Sequence, residues 1–244
     1  MNRLYKKSEI SFAVLWIVAY VILSSVADQA SESIGITKSV TAAVHLLLSL
    51  ILLFWIRKNG LCAKYGLCSS KVPAKKFLYY LPLFVIASTA LWNGVGARYG
   101  FPGTILCVIS MCCVGFLEEL IFRGLLFRAI EKNNRKAAII VSSLTFGLGH
   151  IVNLVNGSGQ DLASTLIQII LAVTVGFVLV LIFCYGGSLV PCILFHSTNN
   201  ALNAFAVESN LSPAAEIVIN IALIVFVLGG YLLYLVRVFA KKTE

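Results

Sequence analysis

Eight stretches of this chain are apolar over about the length of a bilayer crossing, and that pattern leaves few choices of fold. At about 20 residues per crossing, the runs fall near residues 10–27, 40–56, 77–96, 104–127, 137–152, 162–184, 189–205 and 214–236. Hydrophobic residues make up 59% of the chain and charged ones only 12%, with a mean hydropathy of +0.95. A soluble domain carries about 25% charge. The sequence therefore predicts an all-α, polytopic integral membrane protein of about eight transmembrane helices joined by short loops. It reads as a single transmembrane domain over residues 1–244, with no internal repeat, no low-complexity segment and no linker long enough to separate a second domain.

The net charge of +9 raises the question of a nucleic-acid partner, and its distribution argues against one. With eight crossings, sixteen of the nineteen lysines and arginines fall on the side of the two termini, in 3–7, 57–76, 128–136 and 237–242. The opposite loops carry only Lys38 and Arg98, beside Asp28, Glu32, Asp161 and Glu208. The positive-inside rule then places both termini in the cytoplasm of a multi-pass plasma membrane protein. Arg3, Lys6 and Lys7 ahead of an apolar run, with Ser25-Val26-Ala27 behind it, also resemble a signal peptide; the expectation is an uncleaved first helix. Seven cysteines are present without any CxxC spacing. Cys62 and Cys68 lie in a basic loop, where thiols stay reduced, and packing is the expected role of all seven.

Three charges interrupt the fourth run. In TILCVISMCCVGFLEELIFRGLLF, Glu118, Glu119 and Arg123 sit between two apolar halves, where a charged side chain costs about 2.5–3.5 kcal/mol on insertion scales. Glu119 and Arg123 are four apart, so a helix puts them on one face as an ion pair. Glu118 is left about 100° around the helix, unpaired, as a candidate general base. His150 closes the fifth run in TFGLGH, with Phe146 one turn earlier. In the seventh run, His196, Asn200 and Asn203 share one helical stripe. Counted at about 1.5 Å per residue, Glu118, His150 and His196 lie at similar depth, near the midplane or slightly cytoplasmic of it. His45, buried in the second run without polar company, is expected to be structural.

Glu, His, His and Asn suffice for amide hydrolysis. A carboxylate can take a proton from water, an imidazole can orient that water, and His and Asn N–H groups can hold an oxyanion. Alternatively, Glu118, His150 and His196 are the ligand types of a catalytic zinc with an open position. Other intramembrane protease chemistries fit poorly: there is no HExxH, no aspartate within a predicted helix core, and Ser158 in Asn156-Gly157-Ser158-Gly159 falls in a loop.

The ordered trio EExxxR, FxxxH and HxxxN resembles the prenyl-protein (CAAX) endopeptidase and bacteriocin-processing family, the Abi or CPBP intramembrane proteases. Here the trio is Glu118-Glu119…Arg123, Phe146…His150 and His196…Asn200, and it covers about residues 104–205. The resemblance implies that Glu118 activates a water with help from His150. His196 and Asn200 would form the oxyanion hole, with Glu119, Arg123 and Phe146 in support. It implies either no cofactor or a divalent metal such as zinc on Glu118, His150 and His196. The expected partners are the lipid bilayer and a peptide or lipidated protein, from CAAX-type processing to bacteriocin maturation or immunity. A non-catalytic immunity or scaffold protein, or a secondary transporter, would use the same polar groups differently. A transporter would show inverted repeats and Gly- or Pro-broken helices at matching positions, and neither is found.

Overall fold

The computed structural model describes residues 1–154 and 161–240; Ser158, and Lys241 and Lys242 of the C-terminal basic cluster, lie outside the described residues. The chain folds as α1 (Asn2–Lys7), α2 (Glu9–Ile34), α3 (Ser39–Lys58), α4 (Leu81–Ser88) and α5 (Phe101–Glu118). The last of these runs without a break through a π-helical stretch, Glu119–Phe127, into α6 (Arg128–Glu131). Then follow α7 (Arg135–Leu148) with a 3₁₀ turn Gly149–Leu154, α8 (Leu162–Gly186) and α9 (Val190–Leu202). The last segment joins α10 (Pro213–Ala222) to α11 (Gly230–Ala240) through a second π-helical stretch, Leu223–Gly229. The fold is all-helical, and no strand occurs among the described residues. Helix starts follow side-chain chemistry: Ser8, Asn134, Asp161 and Ser212 each accept a first-turn amide, satisfying a donor that the helix itself leaves open.

Every apolar run carries helix, yet eight crossings are not confirmed. Five helices among the described residues are long and apolar enough to span a bilayer: Glu9–Ile34, Ser39–Lys58, Phe101–Glu131, Leu162–Gly186 and Ala214–Phe239. The third run breaks up. Leu78, Tyr79 and Tyr80 take left-handed backbone, so only the eight residues of α4 remain α-helical. In α7 and α9 the α-helix stops after 14 and 13 residues, each continuing as a 3₁₀ turn. The outer surface is lipid-like: Phe54, Phe84, Phe101 and Phe226 are 65–80% exposed, while Thr41, Ser49, Ser110, Ser142 and Thr165 are buried. A water-facing surface of that kind would be an aggregation site.

The bundle has two chemically distinct ends. At one, Glu9 accepts from Lys64 and Lys132 at 2.7 Å each, Trp55 donates to Asn2, and Tyr231 donates to the Phe77 carbonyl at 2.8 Å. Both ends of the described chain and the basic loops therefore gather there. At the other, Lys38 pairs with Asp28 at 2.7 Å, and Gly96 and Arg98 donate to the carbonyls of Phe205 and Ala204.

Two glycines set how close the central helices come. A Cβ on Gly115 of α5 would stand 2.4 Å from the Ser197 amide nitrogen of α9, and one on Gly147 of α7 would stand 2.7 Å from the Val173 nitrogen of α8. Small residues at such crossings let backbones touch, which is how helices associate where lipid offers no hydrophobic drive. His45 departs from expectation in one respect. It has polar company, with Nε2 at 2.9 Å from Ser24 Oγ and Nδ1 at 2.9 Å from Ser110 Oγ. Those hydroxyls come from α2 and α5, out of reach of any local reading. All seven cysteines are free thiols.

Candidate active site

Glu118 and Glu119 are adjacent in sequence and face opposite conditions. The shift from α5 to π-helical hydrogen bonding falls between them, a local change of helix type that is rare and concentrated at functional sites. Glu119 and Arg123 are both 0% exposed, and Arg123 Nη1 donates to Glu119 Oε1 at 2.9 Å. The i,i+4 ion pair expected from the sequence is present. The guanidinium also lies over the Phe146 ring, with Cζ 3.9 Å from the centroid. That contact matters because Arg123 Nε and Nη2 find no hydrogen-bond partner among the described residues; the aromatic face takes the charge that oxygens leave uncovered.

The same Glu119 Oε1 sits 2.8 Å from His196 Nδ1. An ionised carboxylate only accepts, so Nδ1–H is the donor, and the second ring nitrogen, Nε2, is turned toward Glu118 Oε2 at 3.6 Å. Glu119 thus spends its charge holding Arg123 and His196. Glu118 stays partly accessible, with its side chain 15% exposed. It is the acid that the cavity reaches.

Phe146 gathers the second motif around the first. Its ring meets those of Phe122, His150 and His196 nearly at right angles, at centroid distances of 5.6, 5.9 and 5.5 Å. His150 lies on the 3₁₀ turn after α7 and lines a cavity of about 140 Å³ with Glu118, Phe122, Phe146 and Gly149. That is room for water between carboxylate and imidazole. Asn200 stands one turn beyond His196 on α9, half-buried. It accepts from Asn199 at 3.4 Å and makes no hydrogen bond to Glu118 or His196 among the described residues. Asn203 donates back to the Asn199 carbonyl. The structure thus brings Glu118, Glu119, Arg123, Phe146, His150 and His196 together, with Asn200 at the margin.

The opposite wall of the cavity belongs to α2, which the sequence reading left without a role. Tyr20 donates its hydroxyl to Glu118 Oε1 at 2.7 Å across 98 residues, and Ser24, Ser25 and Asp28 continue the wall. A signal existed: Tyr20, Ser24 and Asp28 recur every fourth residue in an apolar helix, one polar stripe. The larger apolar groove, about 540 Å³, lies apart from this chemistry against Phe101, Ile105 and Phe205.

As metal ligands, the expected three fit poorly. No group of three or more His, Cys, Asp or Glu side chains among the described residues is arranged to hold an ion. His150 reaches the cluster through the Phe146 ring.

Residues 100–202, from the start of α5 to the end of α9, match the family model described as Type II CAAX prenyl endopeptidase Rce1-like. The match covers less than half of the chain and contains all three motifs. Over this segment the chain is similar to a family of membrane-embedded proteases, as the motif resemblance implied. No curated protein and no solved structure matches it.

Proposed function

We propose, from that similarity and the geometry around Glu118, that the chain is an intramembrane endopeptidase using a glutamate-activated water. The carrying observation is the division of labour between two neighbouring acids. Glu119 is neutralised by Arg123 and His196, while Glu118 faces a cavity with one oxygen held by Tyr20. A water between Glu118 and His150 gives its proton to the carboxylate as its oxygen attacks the scissile carbonyl carbon. The C=O electron pair moves onto oxygen, where the motif resemblance assigns His196 Nε2–H and the Asn200 amide as donors. Since Nδ1–H is already given to Glu119, His196 must carry both protons to donate from Nε2. Glu118 then returns its proton to the leaving nitrogen as the C–N bond breaks, and a carboxylic acid and an amine result. No step passes through a metal.

The substrate class is a membrane-associated or lipid-modified peptide, as in CAAX-type processing or bacteriocin-related maturation. The distribution of basic residues supports both termini in the cytoplasm of a cell membrane. The test is cleavage of two quenched-fluorescence peptides, one prenylated and one unmodified and membrane-inserted, by purified wild type and Glu118→Gln. Cleavage by wild type and none by Glu118→Gln, at equal folded yield, is the expected result. Equal cleavage by both proteins removes Glu118 from the chemistry.

A further inference from the structure

A third helix links the one that carries Glu118 to the one that holds it. Glu118 ends α5, and Tyr20, its donor, belongs to α2. α3 packs against both and sets His45, 3% exposed, at the seam. The two ring nitrogens serve different helices. Nδ1 lies 2.9 Å from Ser110 Oγ of α5, and Nε2 lies 2.9 Å from Ser24 Oγ of α2. An imidazole with one N–H and one bare nitrogen satisfies both contacts at once, because a hydroxyl donates or accepts as its partner requires.

These contacts close a ring. Ser110 stands eight residues before Glu118 on α5, and Ser24 four residues after Tyr20 on α2. α2 and α5 are therefore tied at two levels: directly by the 2.7 Å bond from Tyr20 to Glu118, and again through Ser24, His45 and Ser110. The His45 ring also lies 5.8 Å from the Tyr20 ring, tilted by 33°, so it steadies the phenol as well as the helix. Tyr20 and Ser24 line the cavity with Glu118, whereas His45 and Ser110 are buried outside its lining. Polar bonds between membrane helices add only modest stability. What this bridge adds is register, and a bond as directional as that of the Tyr20 hydroxyl depends on register.

We propose that His45 is a positioning residue for the reaction: by bridging Ser24 to Ser110 it keeps α2 in the register at which the Tyr20 hydroxyl meets Glu118. It touches neither the substrate nor the attacking water and acts through Ser24 and Tyr20. Its effect on rate rests on the protease reading; its hold on the Tyr20–Glu118 bond does not. A histidine that only filled space at this seam would leave that bond indifferent to its loss.

Two double-variant cycles on the full chain test this, the first without substrate. In thermal unfolding of detergent-purified protein, Tyr20→Phe lowers Tm on its own but should lower it by less than about 1 °C in the His45→Phe or Ser110→Ala background, since members of one network are not additive. The tyrosine ring is kept throughout, so the cycle reads the hydroxyl alone. In peptide cleavage well below the lowest Tm, His45→Phe and Ser110→Ala should each lower kcat about tenfold with KM nearly unchanged. Neither should lower kcat more than about twofold further in the Tyr20→Phe background. Ser110→Ala decides both cycles if His45→Phe does not fold. Additive Tm losses overturn the proposal, because His45 then only packs. So does an unchanged kcat in both variants, or a loss that multiplies with that of Tyr20→Phe. Failure of the protease reading shows separately, as peptides left uncut by wild type, and the Tm cycle then still decides whether His45 holds the bond.

Discussion

Arg123→Ala probes the most costly arrangement in the bundle. Arg123 is wholly buried, 2.9 Å from Glu119 and 3.9 Å from the Phe146 centroid. Removing it leaves the Glu119 carboxylate buried with only His196 as a donor, one of its oxygens being unpartnered among the described residues already. Breaking a buried pair by deleting one member costs about 3–5 kcal/mol. At about 2–4 °C per kcal/mol for a chain of this size, Tm should fall by roughly 6–20 °C. The assay is thermal unfolding of detergent-purified protein, with folded yield by size exclusion. The companion is the double variant Glu119→Gln/Arg123→Met. It removes both charges and leaves a Gln oxygen to accept from His196, so it should recover most of the loss, since neutral replacement of a buried pair is often free. Arg123→Ala shifting Tm by less than about 2 °C, or a double variant no more stable than the single one, would refute the reasoning.

Three further outcomes follow from single contacts. Tyr20→Phe keeps the ring and deletes the 2.7 Å donor to Glu118; a hydrogen bond to a charged group is worth about 1.5–3 kcal/mol, so Tm should fall by roughly 3–12 °C, kcat should drop roughly 10–100-fold as the carboxylate loses its positioning, and an unchanged kcat would remove Tyr20 from the site. Gly115→Ala forces a Cβ to 2.4 Å from the Ser197 backbone and pushes α9, with His196, away from Glu118; a displacement near 1 Å can cost about a hundredfold in rate, while Gly230→Ala, with nothing within 4 Å, should be silent. His45→Phe strands the Ser24 and Ser110 hydroxyls at about 1–3 kcal/mol each, so Tm should fall by several degrees; a Tm equal to wild type would show those contacts to be dispensable.

What could be read in the sequence was whatever recurs locally. Glu119 and Arg123 share a face because they are four apart, and Phe146 and His150 because they are one turn apart. Both pairs sit where spacing put them. Tyr20 escaped because its partner is 98 residues away and a single tyrosine in an apolar helix reads as packing. His45 was placed in the core correctly, but its two hydroxyl partners come from other helices. The π-helical stretch left no trace because 119–127 buries residues on every side, so no apolar stripe reports its pitch. The count of spans suffered at Leu78, Tyr79 and Tyr80, where left-handed backbone breaks a run whose hydropathy alone is continuous.

The Tyr20–Glu118 bond also fixes an order of events in biogenesis. α2 leaves the ribosome with its polar stripe of Tyr20, Ser24, Ser25 and Asp28 already complete, and the carboxylate that Tyr20 binds is made 98 residues later. At about 5–20 residues per second, the hydroxyl waits roughly 5–20 s for its acceptor. In that interval Ser24 and Asp28 already have His45, Lys38 and Thr41 as partners, and the Tyr20 hydroxyl is the group still waiting. The α2–α3 pair can thus settle its own polar contacts early, and the bond that α2 still awaits from α5 is the one that holds the candidate base.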